Sequence, residues 1–157
     1  MSSWLDVALL AVLIVLNGVF AMSEISLVTS RRARLQRLID DKVAGAERAR
    51  ELNADPNRAL STIQVGITSI GILSGIVGES ALARPMEAFL VMVGLSPETA
   101  KAIGLFVVVV LITYFSIVMG ELVPKRIGQI SPERIACRLA PPIHCLSIIA
   151  ARRRPKL

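Results

Sequence analysis

Gly120-Glu121-Leu122-Val123-Pro124-Lys125 closes a long apolar run and sets a carboxylate beside a backbone carbonyl that a proline cannot satisfy. Pro124 has no N–H to give the carbonyl four residues back, that of Gly120, and Gly120 itself lets other groups approach closely. A hard cation such as magnesium takes oxygen ligands of this kind, in octahedral geometry and often with some water retained. Broken helices that expose carbonyls at membrane depth are one way to build an ion site.

Other polar side chains sit in apolar surroundings. Asn17, Ser23 and Glu24 fall in a first apolar run, Ser61, Gln64, Thr68, Ser69 and Ser74 in a second, and Thr113, Ser116 and Glu121 in a third. Such groups cost several kcal/mol in lipid unless they are paired or face water. Counted from the nearest basic boundary at about 1.5 Å per residue, Glu24 lies about 10 Å in, Gln64 about 9 Å and Glu121 about 6 Å, with Thr68 and Asn17 deeper. On helices, Asn17, Ala21 and Glu24 share one stripe, and Gln64, Thr68, Gly71 and Gly75 share another. Plainer roles stand beside the chemical one. Glu24 and Glu121 could reach headgroup water or pair with Arg31, Arg32 or Lys125. Asn17, Gln64 and Thr68 could simply hold helices together, and Gly71-Ile72-Leu73-Ser74-Gly75 has the spacing of a close helix contact.

The elements that must position these groups are three membrane-spanning helices, at about 5–28, 59–77 and 102–123. The chain has 157 residues, 54% of them hydrophobic, and the apolar ones are gathered in uninterrupted runs. The first run lacks a positive leader and carries Asp6 at its start, so it reads as a span and not as a signal peptide. Asp55-Pro56, Ser96-Pro97 and Ser131-Pro132 each place a capping side chain before a proline suited to the first helical position. They open the second span, the third span and a juxtamembrane helix from about residue 132. The loop 31–58 carries Leu35, Leu38, Ile39, Val43 and Leu52 among charges at roughly helical spacing. It reads as an amphipathic helix on the inner leaflet or against a partner, or as a solvated connector. The expected class is an all-α integral membrane protein, with residues 1–150 forming the membrane domain and 151–157 a basic tail.

Charge sets the expected orientation. Arg31, Arg32, Arg34, Arg37, Lys42, Arg48, Arg50 and Arg58 lie between spans one and two, and a second basic group, including Lys125, Arg126, Arg134 and Arg138, follows span three. By the positive-inside rule both segments are cytoplasmic, with the N-terminus outside and the chain in the inner (plasma) membrane. Basic residues without interleaved aromatics do not suggest nucleic acid. Cys137, Cys145 and His144 match no zinc spacing, and the two cysteines read as packing residues. No serine or cysteine has a nearby base, and the one histidine lies by a Pro141-Pro142 break, so an enzyme is not expected.

The segments Asn17-Gly18-Val19-Phe20-Ala21-Met22-Ser23-Glu24, Leu60-Ser61-Thr62-Ile63-Gln64-Val65-Gly66-Ile67-Thr68 and Gly120-Glu121-Leu122-Val123-Pro124-Lys125 together resemble the CorC / cyclin M (CNNM) family, whose bacterial members are often called hemolysin-like. The resemblance covers nearly the whole chain. It implies a homodimeric transmembrane domain that exports magnesium, with sodium as the coupling ion and oxygen ligands drawn from three spans. The matching positions are Asn17, Ser23, the stretch around Gly66, and Gly120 with Glu121. Ile67 stands where many relatives have an asparagine, so Gln64 or Thr68 would supply that ligand. The paired nucleotide-binding CBS modules of the full-length family are not part of this chain. The rival expectation is a membrane anchor and dimerisation module that positions cytoplasmic sensor domains without transport.

Overall fold

The structure, a computed structural model, describes residues 3–152; the tail residues Arg153, Arg154 and Lys156 lie outside the described residues. Helix α1 spans Ser3–Thr29, α2 Arg32–Asp40, α3 Ala46–Ala54, α4 Pro56–Gly78, α5 Arg84–Met92, α6 Pro97–Ile117, α7 Val123–Ile130 and α8 Pro132–Arg152. A π-helical turn, Glu79–Ala83, joins α4 to α5, and a second, Val118–Leu122, joins α6 to α7. Among the described residues every element is helical, and three continuous helices, Trp4–Thr29, Pro56–Met92 and Pro97–Ile130, are long and apolar enough to cross a membrane. This is an all-α membrane protein.

The second and third of these helices outrun their apolar segments. Pro56–Met92 has 37 residues and Pro97–Ile130 has 34, so each reaches about 50 Å or more, beyond a hydrocarbon core of about 30 Å. Each contains a π-turn that ends two residues before a proline, Pro85 or Pro124. The shared cause is the missing proline N–H and the ring's clash with the carbonyl four residues back. Widening the preceding turn absorbs both, and the helix continues; Val123 N–H accordingly donates to the Val118 carbonyl, five residues back. The chain turns between these two helices over Val93–Ser96, where Gly94 takes φ +105.

α1 is the centre of the fold and packs against α4, both π-turns, α7 and α8. Close approach on one side depends on small residues. A Cβ on Gly128 would meet Ile25 Cγ2 at 2.5 Å and the Met22 carbonyl at 3.0 Å, and one on Gly18 would meet Pro124 Cγ at 2.8 Å. The seam of α1 with the third span is therefore written as Gly120, Pro124 and Gly128, four residues apart.

The loop 31–58 is two helices rather than the single amphipathic one expected. Lys42 (φ 55) and Gly45 (φ 81) break it into α2 and α3. Its apolar face is turned neither to the leaflet nor to another molecule: Leu35, Ala46, Ala49 and Leu52 are buried with Ala136, Cys137, Ala140 and Ile143 of α8 and with Leu27, Ala59 and Ile63 at the ends of two spans. Val43 stays exposed. Asn53 Nδ2 donates to the carbonyls of Leu27 (2.9 Å) and Ser30 (3.4 Å), closing the open end of α1.

Ser96 caps α6 as expected, its Oγ accepting from Thr99 N–H at 3.4 Å. Asp55 does not: its side chain makes no cap bond to α4, which has Pro56 at its start. Pro141 and Pro142 do not break α8 but lie within it. Pro141 cannot bond the Cys137 carbonyl, and Gly45 is seated directly on that oxygen; a Cα–H there is a weak donor to a carbonyl. Of the two cysteines, Cys137 packs in the core and Cys145 is exposed, which corrects the expectation that both pack. Burial, and then the negative charge of Glu133, pushes the Cys137 thiol up. In the folded protein a maleimide at neutral pH should label Cys145 and leave Cys137 untouched until detergent denaturation. Equal labelling of both would contradict this core.

Candidate functional site

The seam between α1 and the third span brings together Asn17, Gly120, Glu24 and Glu121. Asn17 Nδ2 donates to the Gly120 carbonyl at 3.2 Å. The proline-freed carbonyl expected at Gly120 thus accepts from a side chain. The other amide atom, Asn17 Oδ1, is buried with no hydrogen-bond partner. A Cβ on Gly120 would lie 3.1 Å from Asn17 Nδ2 and 3.4 Å from the Ile14 carbonyl, so glycine is what admits the amide.

Below that contact Lys125 joins two carboxylates. Its Nζ lies 2.6 Å from Glu121 Oε1, one helical turn back, and 3.4 Å from Glu24 Oε2 of α1. All three side chains are partly exposed. The pairing with Lys125 is the plainer of the two readings set out above for Glu24 and Glu121, and it does not remove the acidic pair from the seam. Asn17 and Glu24 are two turns apart on one face of α1, so the Asn17–Gly120 contact and the Glu24–Lys125–Glu121 group lie along the same seam.

Ser23 is buried and its hydroxyl donates to the Val19 carbonyl at 2.7 Å, the local back-bonding usual for serine in a helix. Gln64 and Thr68 are not brought to this seam. They lie on an exposed face of α4, and nothing comes within 4 Å of a Cβ placed on Gly71 or Gly75 farther along it. Ile67 packs against the buried core instead. On the inner side of α4, Gly66 faces the Phe20 ring, 2.8 Å from a Cβ placed there. Among the described residues no three His, Cys, Asp or Glu side chains converge as a metal cluster.

Sequence reasoning missed the contact of Gly128 with Met22 and Ile25. The signal is the small residues at 120, 124 and 128, at the same spacing as Gly71 and Gly75.

A three-span helical membrane domain with a carboxylate, a carbonyl and an amide gathered at a π-turn defines the class. The model of the cyclin M transmembrane N-terminal domain family matches residues 8–152, and the chain belongs to that family. It is 42% identical over 147 residues to UPF0053 protein sll0260 of Synechocystis sp., covering 94% of this chain and 33% of that protein. It is 33% identical over 137 residues to the polyamine export protein of Escherichia coli K12, covering 87% of this chain and 30% of that one. With UPF0053 protein YhdT of Bacillus subtilis it shares 33% over 141 residues, 90% of this chain and 31% of the relative. The chain spans about a third of the length of these curated relatives.

Proposed function

We propose that this chain is the membrane-embedded part of a transporter that exports a divalent cation, magnesium, from the cytoplasm in exchange for sodium, working as a homodimer in the inner (plasma) membrane with its N-terminus outside. The observation that carries this reading is the Asn17–Gly120 contact beside Glu121. Turning the Asn17 amide over would bring Oδ1, which has no partner, to the Gly120 carbonyl, two oxygens about 3.2 Å apart. That separation suits adjacent ligands of one magnesium ion, whose oxygens lie 2.0–2.1 Å from the metal. Glu121, next in the chain, would supply charge. Membership of the family supports transport, and the basic segments support the orientation. Ser23 would contribute only by giving up its bond to Val19. Gln64 and Thr68 would contribute only across a dimer contact or after α4 moves.

A second reading has its own support. The acidic pair Glu24 and Glu121 holds an ammonium group, that of Lys125, and one relative is a polyamine export protein. An organic polycation would replace Lys125 with another ammonium.

A thermal-shift titration of the detergent-purified chain with magnesium, sodium and putrescine separates these readings, followed by flux into liposomes for whichever cation binds. Stabilisation by magnesium supports the first reading, and stabilisation by putrescine alone supports the second. No shift and no flux with any of them favours a membrane anchor. Lys125→Met removes the tethered competitor in either case, so the apparent affinity for the cation should rise about tenfold or more, since one charge at about 4 Å is worth a few kcal/mol near a protein surface. Weaker binding in that variant would mean that Lys125 builds the site rather than guards it.

A further inference from the structure

We infer that the groove between α2 and the start of α8 is a binding site for a phosphate ester, and that its occupant is the headgroup of an anionic phospholipid. The groove encloses about 510 Å³ and is lined by Arg34, Arg37, Leu38, Ile130, Ser131 and Arg134, with Asp41 and Glu133 in its wall. Its place in the fold is the first argument. α2 begins three residues after α1 ends, and α8 begins two residues after α7 ends, so the groove lies just past the ends of two membrane-spanning helices.

The second argument is charge. Glu133 is buried and already committed, accepting the Arg31 N–H at 3.2 Å through Oε1 and facing Arg34 at 3.9 Å through Oε2. Among the described residues neither Arg37 nor Arg134 lies within ion-pair distance of a carboxylate. Two guanidinium groups without acidic partners therefore flank one space. Their forked donors match phosphate oxygens in pairs.

The third argument is the apolar component. Ile130, the last residue of α7 and part of the groove wall, is 78% exposed. A soluble phosphate has no use for it, whereas an acyl chain entering beside the headgroup would cover it. Cationic and apolar surface side by side at a span's end fits an amphiphile.

Native mass spectrometry of the detergent-purified chain tests this, with phosphatidylglycerol, phosphatidylcholine and inorganic phosphate as probes. The variants are Arg37→Gln/Arg134→Gln and the control Arg32→Gln/Arg138→Gln, which removes the same charge from exposed positions outside the groove. The expected result is a one-to-one phosphatidylglycerol adduct that phosphatidylcholine does not reproduce. The groove pair should weaken it about thirtyfold, at about a factor of five for each guanidinium near an anionic headgroup. The control pair should weaken it by less than about threefold. Adducts with inorganic phosphate alone, lost in the groove pair, would keep the phosphate site but overturn the lipid as its occupant. Equal losses in the two pairs would reduce the effect to diffuse attraction and overturn the site, as would binding of none of the probes. Should the groove pair fail to fold, Arg134→Gln alone, on the exposed face of α8, carries the same comparison against Arg138→Gln.

Discussion

Gly45→Ala is expected to release the α2–α3 layer from α8 while leaving the spans folded. Gly45 holds φ 81, a left-handed conformation that costs an L side chain about 1–2 kcal/mol. The added methyl would also collide with the Cys137 carbonyl, which is backbone and fixed by α8, with Pro141 Cγ 3.5 Å away closing the remaining room. Overpacking of this kind adds about 1–3 kcal/mol, so the total is about 2–5 kcal/mol. That is a large share of what holds two nine-residue helices in place. The readout is limited trypsin digestion in detergent, because Lys42 and Arg48 flank the glycine. Cleavage there should accelerate at least tenfold, while Gly71→Ala, at a position with no atom within 4 Å, should change nothing. Unaltered digestion of Gly45→Ala would mean that α3 does not depend on this contact.

Glu121→Ala carries the largest effect on the proposed transport. It should abolish cation-dependent stabilisation and reduce flux to the level of empty liposomes, a loss of at least about a hundredfold, since even residues that only support a metal's ligands are worth about 10–100-fold. The fold should survive, because Glu121 is partly exposed and Lys125 keeps Glu24 as a partner at 3.4 Å. The more informative comparison is Glu24→Gln. It leaves the Gly120–Glu121 turn intact but removes one of the two negative charges beside Lys125, so it should lower affinity without erasing it. Magnesium stabilisation and flux that persist in Glu121→Ala would end the assignment of that carboxylate, and absence of both in the unaltered protein would return the domain to the role of an anchor.

The apolar runs made three spans legible, because long, predominantly apolar stretches allow few alternatives. Pro124 also announced an irregular turn beside Glu121. What it could not announce was who would answer the Gly120 carbonyl. Asn17 is 103 residues away in sequence, and its role as donor follows from helix packing, not from local pattern. Gly71 and Gly75 show the opposite failure: their spacing promised a helix contact, yet within one chain they face open space. The two prolines of α8 misled for a related reason. A proline pair normally ends a helix, but here the carbonyl left free at Cys137 faces a glycine from another element. In the loop 31–58 the apolar residues keep rough helical spacing across Lys42 and Gly45, and spacing alone does not register two residues at positive φ.

The central place of α1 also has a consequence for how the molecule is made. α1 leaves the ribosome first, and its buried face carries Asn17, Ser23 and Glu24. The partners of Asn17 and Glu24, Gly120 and Lys125, follow about a hundred residues later, which at bacterial and eukaryotic elongation rates of about 5–20 residues per second is a delay of about 5–20 s. During that interval an amide and a carboxylate sit in the translocating helix with no permanent companion. A chain stalled before Gly120 would lack the native partners of both side chains.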